Sequence, residues 1–396
     1  MQVQTEQKGI SMFSQNDVLQ YVEEEGVKFI RLAYYDLFGI QRNVSIMPVQ
    51  LKKAFEKGIT IDGAQIFGNS TDGEDLVIKP DASTMILLPW RSMENGVIHM
   101  VCDLYHIDGR KYKPDTRTLL KCALDQAHDL DLNLLMASKF EFYLFELDEK
   151  GKRTNIPFDQ GSYMDVAPLD SGENIRREIC LLLEEMGLDP HKSFHQLGPG
   201  QNEIDFHFSE PLDAADEASL FKWIVRTTAN SNGLYADFSP NPLQGEPGSA
   251  MHVQIRFLPE SIDKQSAFIA GLLNYLPDVQ LFLCPSAASY TRLAYPTAPQ
   301  RFNFSDRIRN VMVRIPPLSH DVLEVRLPDA QANPYLTFAL VLFAGMEGIR
   351  QELKIENIPA KKAAANLEEA RILADQSVFV EHYIDPAILQ AYKTRG

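Results

Sequence analysis

Cysteine is scarce and scattered. Four occur in 396 residues (Cys102, Cys122, Cys180 and Cys284), with no C-x-x-C spacing and no clustering with histidines. This argues against a disulfide scaffold or a zinc ribbon and for reduced core thiols in a cytoplasmic protein. No segment reaches the roughly eighteen consecutive apolar residues that a membrane span requires, and Met1–Ser11 is polar, unlike a secretory leader. The expectation is therefore no membrane partner. Long basic runs are also missing: Lys and Arg number 38 against 54 Asp and Glu, a formal charge of −16. Such a surface repels nucleic acid, so no nucleic-acid partner is expected. Tandem repeats and low-complexity tracts are absent, and the Lys/Ala-rich stretch Pro359–Asn366 reads as a surface linker.

What is present is enough apolar side chain, 45% of the residues, for a large core together with a smaller domain. Ser14–Glu25 has the pattern of an amphipathic helix, and Lys28–Tyr35 and Met85–Leu88 read as strands. A Pro-Asp pair, Pro114-Asp115, then precedes a second helical pattern, Thr116–Leu130. The fold class expected is α+β, with a small unit over residues 13–108 and a large one over 109–396.

The large unit contains strands of unusual alternation. In Glu203–Phe208, Glu203, Asp205 and His207 share one face and Ile204, Phe206 and Phe208 the other. In His252–Phe257, His252, Gln254 and Arg256 share a face. Phe140–Phe145 and Val322–Leu327 set one or two charges into apolar strands. A half-solvated sheet explains any one of these. Four strands carrying Glu, His and Arg together point to a concave face that binds metal and phosphate.

Several motifs then occur in order: Met164–Asn174, Gly198–Ile204, the Gly248–His252 turn, Ser289–Leu293, Arg309–Pro316 and Ala332–Leu336. In these the chain resembles the glutamine synthetases over roughly residues 13–350. The resemblance implies a small N-terminal β-grasp domain and a C-terminal catalytic domain built on a curved antiparallel sheet with helices, its helical tail shortened after Tyr392. It also implies a homo-oligomeric ring with active sites between neighbouring copies. The implied reaction uses ATP, Mg2+ or Mn2+, a glutamate-like acid and an amine.

By that resemblance Glu141, Gln196 and Glu203 surround one metal ion, and Lys139, His252 and Glu324 a second. Gly248, Arg292 and Arg326 fall on the glutamate. Arg309 and Arg314 fall on the ATP phosphates, with Arg309 also on the transferring phosphoryl group, and Asp62 on the ammonium. Four positions are altered from the family pattern: Lys139 and Gln196 stand where it keeps glutamates, Thr297 nearest a flap glutamate, and Val322 where an arginine approaches the nucleotide. An ammonium group has no lone pair for a metal. Lys139 therefore either meets the phosphates as a point charge, marks a site without metal and ATP, or points to solvent. An ion pair between Lys139 and Glu324 is expected, and instead of binding ligands Arg314 or Arg326 could pair with Glu324 or Asp329 in a buried network.

Three functions follow. The first is an ATP-dependent carboxylate–amine ligase of γ-glutamyl type that uses an amine other than ammonium. The second is a catalytically impaired paralogue with a structural or regulatory role, and the third is ordinary glutamine synthesis.

Overall fold

A computed structural model describes residues 13–68, 73–89 and 96–395; the polar Met1–Ser11 stretch lies outside them. The chain divides into two compact units. Among the described residues, one holds those within 13–35, 41–112 and 184–188, and the other holds those within 36–40, 113–183 and 189–395.

The first unit opens with the helix Gln15–Glu24, started by a capping box in which Ser14 and Asp17 exchange side-chain-to-backbone hydrogen bonds. Its mixed sheet runs in the order Gln41–Ile46, Phe29–Tyr35, Val97–His106, Asp75–Pro80, Ile59–Asp62. Phe29–Tyr35 and Val97–His106 are parallel, and the other neighbours are antiparallel. Ile86–Leu87, the core of the expected 85–88 strand, pairs with Val97–His106.

In the second unit Asp115 caps the helix Thr116–Asp129 through the Arg117 and Thr118 amides. The sheet that follows has nine strands among the described residues. Its long Leu134–Leu147 strand pairs with Met251–Phe257 along its first half and with Gln201–Phe206 and Leu234–Asp237 farther on. Register fixes what meets what. Lys139 lies opposite His252 on one side and Asp205 on the other, Glu141 lies opposite Glu203, and Glu324 lies between Gln254 and Arg314.

Three apolar helices, Pro211–Ser231, Gln265–Leu283 and Pro334–Arg350, supply much of the core. The last two approach closely at glycine: a Cβ at Gly271 would stand 2.2 Å from the Ala344 carbonyl oxygen. The span Pro259–Leu283 is apolar enough to cross a membrane, but 72% of its apolar window is buried in this core. Asn333 starts the third helix by accepting from the Tyr335 and Leu336 amides, while its own amide donates to the Leu37 carbonyl and Thr116 Oγ1.

Two local readings are corrected. Residues 359–366 are not a free linker, because Lys361–Lys362 pairs with Arg301–Phe302 and the Ala364 amide donates to the buried Gln280. His207, expected beside Glu203 and Asp205, lies one residue past the strand Gln201–Phe206 and is exposed, its ring 3.2 Å from that of His191 rather than against the buried acids.

Candidate active site

The polar face of the second unit's sheet opens into a cavity of about 470 Å³. Its wall includes Lys139, Glu141, Gln196, Glu203, Gly248, His252, Arg292, Thr297, Arg309, Glu324 and Arg326. Period-two alternation brings Lys139 and Glu141 here from one face of their strand, and Glu324 and Arg326, the latter just past its strand, are likewise two apart.

Two polar clusters floor the cavity. In the first, the Gln196 amide nitrogen donates to Glu141 Oε1 at 3.0 Å and to Glu203 Oε2 at 2.7 Å, while Glu141 Oε2 accepts from the Ala250 amide at 2.8 Å. A neutral donor thus holds two buried carboxylates together. Burial pushes both carboxyls above the usual range, Glu203 the farther because Asp205 and Glu141 add to the burial. Gln196 is held in turn by its neighbour His195, whose ring nitrogens lie 2.7 Å from the Gln196 carbonyl oxygen and 2.9 Å from Asp159. Burial lowers the His195 pKa, but these hydrogen bonds outweigh it and raise the value overall.

In the second cluster Lys139 Nζ is 3.0 Å from Glu324 Oε2 and 3.6 Å from Asp205, and its side chain is only 12% exposed. Arg314 Nε is 2.9 Å from the other Glu324 oxygen, and Arg326 Nε is 3.8 Å from it. Burial raises the Glu324 carboxyl, but His252, Lys139 and Arg314 together hold it well below the usual range. Burial also opposes charge on Lys139, yet Glu324, Asp205 and Glu203 raise its pKa overall. The expected Lys139–Glu324 pair is formed, and so is the alternative in which Arg314 engages Glu324. Lys139 therefore does not point to solvent.

Around this floor, Arg292 donates to the Leu327 carbonyl, and Arg326 donates to the Arg309 carbonyl at 2.7 Å. Gly248 lies under Arg292, and a Cβ there would stand 2.4 Å from Arg292 Cγ. Gln201 ties two turns together by accepting from the Gly198 amide and donating to the Gly248 carbonyl. Val322 is buried in its strand and is not part of the cavity wall. Asp62 lies in the first unit, where it caps a 3-10 turn by accepting from the Ala64 amide at 3.0 Å. Sequence reasoning assigned no role to Asp205, which is 1% exposed between Lys139 and Lys192. Its place two residues beyond Glu203 on one strand was the available signal.

Residues 113–379 match the glutamine synthetase catalytic domain, and residues 26–107 match the glutamine synthetase beta-grasp domain. The chain belongs to the glutamine synthetase family. It is 35% identical to a glutamine synthetase of Clostridium saccharobutylicum over 90% of this chain and 84% of that one. It is 37% identical to a glutamine synthetase of Methanosarcina mazei over 86% and 80%. Among solved structures it resembles a GmaS/ADP complex with a TM-score of 0.85 and 25% identity, over 95% of this chain and 94% of that one.

Glutamine synthetases as a family use ATP and divalent metal ions. The donor sets here answer differently at the two positions. Glu141, Glu203 and the side-chain oxygen of Gln196, once turned inward, offer oxygen ligands suited to Mg2+ or Mn2+. Lys139, His252 and Glu324 do not fit a metal, because the Lys139 ammonium has no lone pair and lies against the carboxylate an ion would use.

Proposed function

We propose that the protein is an ATP-dependent carboxylate–amine ligase of γ-glutamyl type whose amine substrate is not ammonium. The carrying observation is the Gln196 amide between Glu141 and Glu203, which puts an uncharged group where a cation-binding pocket would need a third carboxylate. Thr297, also uncharged, stands on the same cavity wall. Each missing carboxylate at about 4 Å withdraws about 4 kcal/mol of attraction for any protonated amine at an effective dielectric near 20, so ammonium, which has no apolar part to offset the loss, is disfavoured most. Tyr163, Leu197, Pro247, Tyr295 and Pro299 give the wall apolar surface, on which each methylene of an alkylamine contributes about 0.8 kcal/mol. The likeness to GmaS, a γ-glutamylmethylamide synthetase, supports the same reading.

In this reading Arg292 and Arg326, anchored on backbone carbonyls, hold the acid's carboxylate by paired guanidinium hydrogen bonds. Arg309, also on the wall, stabilises the transferring phosphoryl group, with Arg314 behind it on Glu324. A divalent ion at the first position supplies charge neutralisation when bound. Asp62 is assigned to the amine. The protein is taken to be a homo-oligomer, as family members generally are.

The test is a panel of ammonium, methylamine, ethylamine and larger primary amines with glutamate, ATP and Mg2+ or Mn2+. Phosphate release is measured and products are identified by mass spectrometry. An alkylamine should exceed ammonium at least tenfold in kcat/KM. Ammonium at parity, or no product with any amine, would overturn the reading, the latter in favour of a non-catalytic role.

A further inference from the structure

We propose that Lys139 is a built-in cation that permanently takes the place of the second divalent ion, so that this end of the cavity is closed to metal. The inference rests on the cluster's geometry and does not depend on which amine is used.

Register alone puts Lys139 at the centre of the acids. On one flank its strand partner is Asp205, and on the other it is His252, with Glu324 one strand farther. The side chain stays in that space: Nζ lies 3.0 Å from Glu324 and 3.6 Å from Asp205 and is largely shielded from solvent. Lys192 reaches the same Asp205 carboxylate at 3.1 Å, and Arg314 takes the second Glu324 oxygen. Every carboxylate a second ion could use already has a cation of the chain against it.

A divalent ion entering beside Glu324 would meet Lys139, Arg314 and Arg326 at close range. No lone pair of Lys139 would help to bind it. A metal ion is exchangeable, whereas Lys139 is covalently part of the strand and cannot be removed by a chelator. Lys139 also lines the cavity, so an anionic group entering at this end, such as a phosphate, meets a fixed ammonium with three donors. The charge the family draws from solution is here encoded in the sequence.

The experiment counts Mn2+ bound per chain by electron paramagnetic resonance and isothermal titration, using the full chain. The proteins are wild type, Lys139→Glu, Lys139→Gln and the double variant Lys139→Glu/His252→Asn. Lys139→Glu should bind one more Mn2+ per chain than wild type. The double variant should lose that extra ion or bind it at least tenfold more weakly. Lys139→Gln adds no charge and offers an amide oxygen, so it should gain the same site at lower affinity, and it decides the matter if Lys139→Glu does not fold. Equal counts in wild type and the folded Lys139 variants would overturn the proposal, as would an extra ion insensitive to His252. A failed amine panel with an increased Mn2+ count would remove the substrate reading and leave this one standing.

Discussion

Gln196→Glu measures how much the amide contributes by letting two buried carboxylates share one position. The amide nitrogen is 3.0 Å from Glu141 and 2.7 Å from Glu203, so a carboxylate oxygen in its place meets two carboxyl groups at about that distance. At about 3 Å and an effective dielectric near 20, each encounter with an ionised partner costs about 5.5 kcal/mol. Taking up a proton is cheaper: keeping a carboxyl of ordinary pKa near 4.3 protonated at pH 7 costs about 3–4 kcal/mol. The variant therefore folds with an extra proton that its unfolded chain releases, and its stability falls as pH rises above the unfolded pKa. The expected loss relative to wild type is about 3–4 kcal/mol at pH 7, shrinking by about 1.4 kcal/mol per pH unit on acidification and vanishing near about pH 4.5. Urea unfolding of both proteins between pH 5 and 8, with and without Mn2+, measures it. Mn2+ should offset the loss, because a third carboxylate completes an oxygen donor set. A stability difference independent of pH would refute the charge argument. Equal Mn2+ stabilisation of the two proteins would refute the cation-position argument.

Other outcomes follow from single sites. Burial, with Asp213 adding to it, pushes the Glu217 carboxyl up to about 8, so folding costs more as pH rises from about 4.5 to 8. Glu217→Gln should leave stability unchanged near pH 4.5 and raise it by up to roughly 5 kcal/mol at pH 8.5, read from urea midpoints. Gly248→Ala places a Cβ 2.2 Å from the Pro240 carbonyl oxygen and 2.4 Å from Arg292 Cγ. It should cost about 1–3 kcal/mol and raise the KM for the acid about tenfold, a displacement of about 1.4 kcal/mol; an unchanged KM would show that Arg292 does not hold the acid. Asp62→Asn should lower kcat/KM for the amine about tenfold or more while leaving the KM for the acid near wild type, and steady-state kinetics with each substrate varied separates the two.

Much of the site was legible because face-sharing along a strand is a local property. Glu203 and Asp205 are two residues apart, as are Lys139 and Glu141, and the same holds for Glu324 and Arg326, so the sequence places each pair on one face whatever the strand pairs with. The motif order fixed the family, and with it the expectation that Lys139 meets Glu324. The Asp115 cap and the Ser14 capping box are likewise local and were readable as helix starts.

What the tertiary structure decided depends on partners distant in sequence. The strand's end at Phe206 left His207 exposed beside His191, and the pairing of Lys361–Lys362 with Arg301–Phe302 tied down a stretch whose composition reads as a linker. Only the assembled sheet shows that Asp205 faces Lys139, that Arg314 turns to Glu324, and that one Gln196 amide satisfies two acids. The residue types and their spacing determined which groups would share a face. The register between strands, set by long-range pairing and packing rather than by any local pattern, determined which charge each of them meets.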